Sequence, residues 1–423
     1  MTYLRRQFSF MQGNILVLSI TGILGNFSRA AVFPYASLYI LALGGNAEQI
    51  GFVNALAPLT GLLFFPIAGY IADHFGRVRI IVLSALLSGA VTGIFVIAPT
   101  WEVIAIASLF RAVAALQFPA SSAIIADSLA PEDRGRGIGT MNMVSNILSI
   151  FAPLLGGLVV EYYGDNLGLR ILYAMMMTLY MLSAWLQLRF LQETKQVEQD
   201  DATSATHAQR FQWVQIPTIL KQAYRDIFAV IGSLSTPLRA LTGVIVLSFM
   251  VNGVISPFWV VYAIEEIGLT SASWGLILLL ETLIRTVAFL PVGMLVDRWG
   301  RTTILAGTLI VALCILPLFI FATGFYSALA IRLVAGVLYA AGIPSTTALM
   351  ADLVPRENRG RVMASIGQGG IMLGAAGGGT GGPATGFVIT IPLMCSFLLG
   401  GYLYKWNPVY PWYFAAIALF VSI

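Results

Sequence analysis

Charge, histidine and cysteine are all scarce in this chain. Only 10% of its 423 residues are Asp, Glu, Lys or Arg, against roughly 25% in an average soluble domain, which excludes an ordinary water-soluble core. Its two histidines, His74 and His207, and two cysteines, Cys314 and Cys395, are too few for the usual nucleophile–base pairs, metal clusters or disulfide frameworks. An enzyme is therefore not expected, and neither is a cofactor or a bound metal. No ATP-binding motif is present, so any energy for work must come from gradients. The basic residues lie between apolar runs and form no single patch, so nucleic acid is not an expected partner. What the chain has instead is apolar length. It is 58% hydrophobic, and its runs approach the ~20 residues that a bilayer-spanning helix needs. It reads as an all-α polytopic membrane protein.

The first run begins near Asn14 and is followed by runs at about 52–72, 79–98, 103–126, 138–160 and 169–191. After a polar stretch come six more, at about 237–263, 272–295, 303–323, 326–351, 384–404 and 411–423. The expected organisation is an N-terminal six-helix bundle (1–191), a linker (192–236) and a C-terminal six-helix bundle (237–423). The last run is too short to cross ~30 Å, so truncation of the twelfth helix is expected. Within the linker, Ile219, Leu220, Ala223, Ile227 and Ile231 recur at helical spacing and predict an amphipathic helix on the membrane surface. Seventeen Lys and Arg fall on the side of the N-terminus and linker, against Arg170 and Lys405 on the other. The positive-inside rule then places the N-terminus and linker in the cytoplasm of a multi-pass plasma-membrane protein.

The two halves repeat. Gly69, Asp73, Gly76 and Arg77 after the second run match Gly293, Asp297, Gly300 and Arg301 after the eighth, with Arg298 beside Asp297; both loops are G-x-x-x-D-x-x-G-R. The stretch Pro119 to Asp127 matches Pro344 to Asp352, and Phe33-Pro34 with Tyr39 matches Ser256-Pro257 with Tyr262. With two copies of the loop motif in register with twelve spans, the chain resembles a major facilitator superfamily transporter of the prokaryotic drug/metabolite antiporter-like branch. That resemblance implies two pseudo-symmetric bundles around a central site of alternating access. It also implies that Asp73, Arg77, Asp297 and Arg301 form a cytoplasmic latch between the bundles. The arginines are expected to reach carboxylates such as Asp127 and Asp352. The tenth span carries the family's Arg-x-x-x-Gly as Arg332 and Gly336, where the fourth has Ala107 and Arg111. The fifth keeps Gly139, Pro153, Gly156 and Gly157 of the antiporter signature but has Leu148 and Ala152 at two of its glycines. Gly400-Gly401 repeats Gly156-Gly157 after a surplus of glycine-rich chain, and 366–383 is expected to be a flexible entry to the eleventh helix.

Scaffold residues should recur in both halves, so polar residues present in one half only are the functional candidates. Superposing the repeats puts Arg29 opposite Asn252, Glu281 opposite Ala57, Arg285 opposite Gly61 and Arg111 opposite Gly336. Glu281 is the one carboxylate inside the apolar spans. An ionised group there costs at least ~2.5–3.5 kcal/mol without a partner, so it is expected to face a cavity and pair, with Arg285 one turn away on the same face. Glu281 and Arg285 are the proton-coupling candidates, with a purely structural ion pair as the competing reading. Arg29 and Arg111, with Asn26, Asn54, Gln117, Asn142, Asn146 and Asn252, are candidates to line the cavity; polar groups of this kind also serve as interhelical glue. The arginine excess favours an anionic or strongly hydrogen-bonding solute. The expected activity is proton-coupled export of a small organic solute by antiport, with a single chain as the working unit. The alternatives are an uptake symporter or facilitator for an anionic metabolite, and a transporter-like sensor without flux.

Overall fold

A computed structural model describes residues 11–194, 232, 234–354, 362, 365–367, 370–375 and 386–423, the side chains of 63–74 and 387 excepted. The amphipathic linker helix expected at 219–231 lies outside them, as do the side chains of Gly69 and Asp73.

Among the described residues, twelve main helices follow in order. They are α1 (Gly13–Ala42), α2 (Ala47–Phe75), α3 (Arg77–Ile97), α4 (Trp101–Ser128), α5 (134–163) and α6 (165–190) in the N-terminal half. The C-terminal half has α7 (Thr236–Glu265), α8 (Ser271–Trp299), α9 (Arg301–Phe321), α10 (Phe325–Leu353), α11 (Phe387–Trp406) and α12 (Tyr410–Ser422). A single helical run, Arg134–Phe190, carries both α5 and α6 and breaks at Gly164, whose φ of 78° only glycine holds without strain.

The sequence repeats are structural repeats. α1 and α7 each tighten into a 3-10 turn at their proline, Phe33–Tyr35 and Ser256–Phe258. One turn on, the Tyr39 hydroxyl donates to Phe95 O (2.7 Å) and the Tyr262 hydroxyl to Ile320 O (3.1 Å). Each locks a broken helix to the end of the third helix of its half. Gly76 and Gly300 end α2 and α8 at φ 84° and 88°, so the glycine of the loop motif makes a turn that an L side chain resists. The following arginine then points back into its own half, Arg77 to Asp127 and Arg301 to Asp352.

The glycine-rich entry to α11 departs from expectation where it is described. Residues 370–375 are not helical, yet they are packed into the C-terminal half. Ile371 and Leu373 are buried, the Ile371 N–H donates to Thr346 Oγ1 (3.2 Å), and Gly374 sits against Ala335 of α10. Ala335 is ten residues into α10, about 15 Å along its axis. The chain has returned by Gly386, which lies against Ser365 and Gly367. Glycine at ~1 kcal/mol per residue against Ala disfavours helix here, and packing orders the chain in its place.

Candidate substrate cavity and the clasp beside it

One face of the molecule is closed by two equivalent helix crossings, α5 on α8 and α11 on α2. At the first, a Cβ on Gly157 would lie 2.3 Å from Ser271 O, and one on Gly275 would lie 2.6 Å from Pro153 O. At the second, a Cβ on Gly401 would lie 2.8 Å from Ala47 O, and one on Gly51 would lie 2.4 Å from Phe397 O. Superposing the repeats carries Gly157, Ser271, Gly275 and Pro153 onto Gly401, Ala47, Gly51 and Phe397. Gly156 and Gly400 are equivalent too, packing on Ala31 O of α1 and Val254 O of α7. Backbone meets backbone at both crossings, which only glycine permits. The Tyr35 hydroxyl joins three helices at the first crossing, donating to Pro153 O (2.7 Å) with Ser271 O at 3.3 Å. The rims differ: Glu161 accepts from the Ala272 N–H at the start of α8 (2.8 Å), whereas Lys405 pairs with Glu48 at 2.9 Å. Toward the opposite, basic face, residues 134–146 of α5 pack on α1 and, among the described residues, make no comparable contact to α8.

A cavity of about 270 Å³ lies in the N-terminal half, walled by α1, α2, α3, α4 and α6, with Phe397 of α11 from the other half. It gathers Arg29, Arg111, Asn54 and Gln117. Arg111 opens the 3-10 stretch Arg111–Leu116 in α4, and its guanidinium lies 4.6 Å over the Phe33 ring. Arg29 donates to Asn26 Oδ1, and Asn26 Nδ2 donates to Ser145 O and Asn146 Oδ1, both at 3.1 Å. Asn26 therefore stands behind the cavity and holds Arg29 to α5. Asn142 and Asn146 are exposed on α5, and Asn252 is fully buried in α7 without a partner for either amide atom.

The expected pairing of Glu281 with Arg285 is not made. The Glu281 carboxylate takes Arg332 of α10 instead, with Nε at 2.9 Å and Nη2 at 2.5 Å from Oε2. Arg332 is 0% exposed and Glu281 5%, and neither lines the cavity. The Arg332 guanidinium lies 4.5 Å from the Trp259 ring and 5.7 Å from the Trp274 ring, held there by cation–π attraction. Gly336 allows α8 this close, since a Cβ there would meet Glu281 at 3.0 Å. Arg285 instead stacks 4.9 Å over Tyr339. By the repeat, Trp259, Trp274, Glu281 and Arg332 occupy the places of Ala36, Ile50, Ala57 and Ala107, of which Ala57 lines the cavity.

Among the described residues, which exclude the Asp73 side chain, no ion pair joins the two loop motifs across the halves. Arg77 and Arg301 each bind a carboxylate of their own half, and Thr194 Oγ1 joins the first pair, at 3.0 Å from Arg77 and 3.1 Å from Asp127. Asp297 and Arg298 are exposed and make no ion pair among the described residues, and Gly293 meets no neighbour within contact distance. Sequence reasoning passed over Tyr35, Gly51, Gly275 and Glu161. The two glycines were visible as a pair at the same separation as Asp73 and Asp297.

Comparison with known proteins agrees with this architecture. A model of the Major Facilitator Superfamily matches residues 18–239 and 241–423. The multi-drug resistance efflux pump PmrA of Streptococcus pneumoniae is 25% identical over 214 residues, 49% of this chain and 52% of that protein. The quinolone resistance protein NorA of Staphylococcus aureus is 23% identical over 146 residues, 33% of this chain and 38% of that protein. The chain thus spans about half the length, or less, of these relatives. Among solved structures, a bacterial homologue of the iron transporter ferroportin in its inward-facing state superposes with a TM-score of 0.67 at 16% identity, covering 96% of each chain. The nucleoside transporter NupG superposes with a TM-score of 0.66 at 13% identity, covering 97% of this chain and 96% of that one.

Proposed function

We propose that this chain, which belongs to the major facilitator superfamily, exports a small organic solute by alternating access, driven by protons moving inward across the plasma membrane. The observation that carries the reading is a cavity holding two arginines in one half, set beside a clasp that shuts one face while the described residues make no comparable contact between α5 and α8 at the other. With the basic face in the cytoplasm, this conformation receives solute from inside. Opening the clasp and closing the basic face would release it outside. Export is favoured by the names of the similar efflux pumps and by Pro153, Gly156 and Gly157, which hold α5 at the clasp. The proton carrier is Glu281. Protonation removes the charge that holds Arg332 and loosens α8, one arm of the clasp, from α10.

A second reading has an observation of its own. Because the Glu281–Arg332 pair lies outside the cavity wall, it also suits a structural rivet, and the protein is then a facilitator or is coupled elsewhere. Reconstitution in liposomes separates the two. Under an imposed pH gradient, wild type should accumulate solute against its own gradient. Glu281→Gln should lose that accumulation while keeping downhill exchange. Equal gradient response in both proteins would sink the coupling role, and the sign of wild-type flux decides export against uptake.

A further inference from the structure

The cavity wall restricts what it can hold. Among the described residues no Asp or Glu lines it, while two arginines do. An unbalanced cation within a bilayer is costly, and two of them without an acid call for an anion. Of the other polar groups, three give a hydrogen to a helix carbonyl, while Gln117, Tyr173 and Tyr180 line the wall beside them. Asn54 Nδ2 donates to Ile50 O (2.9 Å), Ser88 Oγ to Ser84 O (2.7 Å) and Thr92 Oγ1 to Ser88 O (2.7 Å). Arg29 gives one N–H to Asn26 and keeps the rest. Arg111 donates no hydrogen bond among the described residues, and its guanidinium carbon lies 4.6 Å from the centre of the Phe33 ring. Its planar N–H fork is therefore free to meet a carboxylate. The rest of the wall is mainly apolar and includes the aromatic rings of Phe95, Phe118, Tyr173 and Phe397.

Building on the transport reading above, we propose that the cavity takes a small amphiphilic organic anion. Its substrate is a one- or two-ring aromatic carboxylate or sulfonate, with the acid group between Arg29 and Arg111 and the ring against the aromatic wall. Lipophilic cations, which two arginines repel, are excluded, and sugars, which need many donors and acceptors, are disfavoured. Discrimination resides almost wholly in the N-terminal half.

The test is calorimetric titration of the purified full chain with benzoate, 2-naphthalenesulfonate, benzamide, phenyltrimethylammonium and glucose. The two anions should bind at least tenfold more tightly than the neutral and cationic probes. Arg29→Gln and Arg111→Gln should each weaken anion binding at least tenfold, and Arg111→Lys should weaken it severalfold despite keeping the charge. Arg285→Gln, outside the cavity, should leave it unchanged. Anions that bind no better than benzamide or the cation, or do not bind, overturn the proposal, as do folded arginine variants that bind like wild type. If a variant fails to fold, the ranking of probes on wild type decides alone. Flux assays in liposomes keep the two readings apart. Transport without anion preference overturns this inference and leaves export standing, whereas tight anion binding without flux does the reverse.

Discussion

Glu281 and Arg332 form an ion pair that the membrane interior makes costly to disturb. Desolvating two charges is repaid only while both are present, and here the pair is buried between two indole rings. Arg332→Gln, which strands the carboxylate, should cost about 3–5 kcal/mol and lower the midpoint of thermal unfolding in detergent. Replacing both partners, with Glu281→Leu and Arg332→Met, should recover most of that loss in the same assay. Tyr35 has a different role, because one of its two carbonyl contacts, to Ser271 O of α8, crosses from one half to the other. At about 1 kcal/mol net per hydrogen bond, Tyr35→Phe should shift the balance between clasped and open states roughly fivefold. Thiol labelling of a reporter cysteine on the clasp face would measure the shift. That Glu281 would be paired was legible in the sequence, because it is the one acid inside the apolar runs. Its partner was not, since matching the repeats compares equivalent positions and says nothing of which neighbouring helix supplies a contact.

At the scale of elements, α5–α8 and α11–α2 are one contact made twice. Their glycines are required by the backbone of the facing helix, so a larger residue at either crossing should have the same consequence. Gly157→Leu and Gly401→Leu should each prevent closure and reduce flux more than tenfold while leaving anion binding at the cavity within a few-fold; paired flux and calorimetric measurements check this. Much of this level could be read in advance. The loop motifs, the proline breaks in α1 and α7 and the repeat of Gly156-Gly157 in Gly400-Gly401 all sit at equivalent places. Gly51 and Gly275 escaped notice because a glycine in an apolar run has no chemistry of its own; its meaning lies in the chain that crosses it. The segment at 370–375 was misread for a related reason: glycine content says that a helix is disfavoured, but not whether packing orders what remains.

For the whole molecule, if the two bundles move as bodies, holding either crossing should hold both. In a background with Cys314 and Cys395 replaced by Ser, bridging Glu161→Cys to Ala272→Cys with a short bifunctional thiol reagent should abolish flux. Bridging Lys405→Cys to Glu48→Cys should do the same, and reductive cleavage of the bridge should restore it in each case; flux surviving either bridge would mean that the crossings open independently. Among the residues lining the cavity, Phe397 alone comes from the C-terminal half, and its carbonyl is also the one pressed by Gly51 at the second crossing. In the language of thermodynamic linkage, a bound solute can bias the clasp only through a difference in affinity between the two states, and the same factor must appear in reverse. Phe397 is the place where that exchange can occur by direct contact. Whatever fold-change in affinity a jammed clasp imposes on the solute, the solute imposes on the clasp, and trimming this one ring should shrink both together.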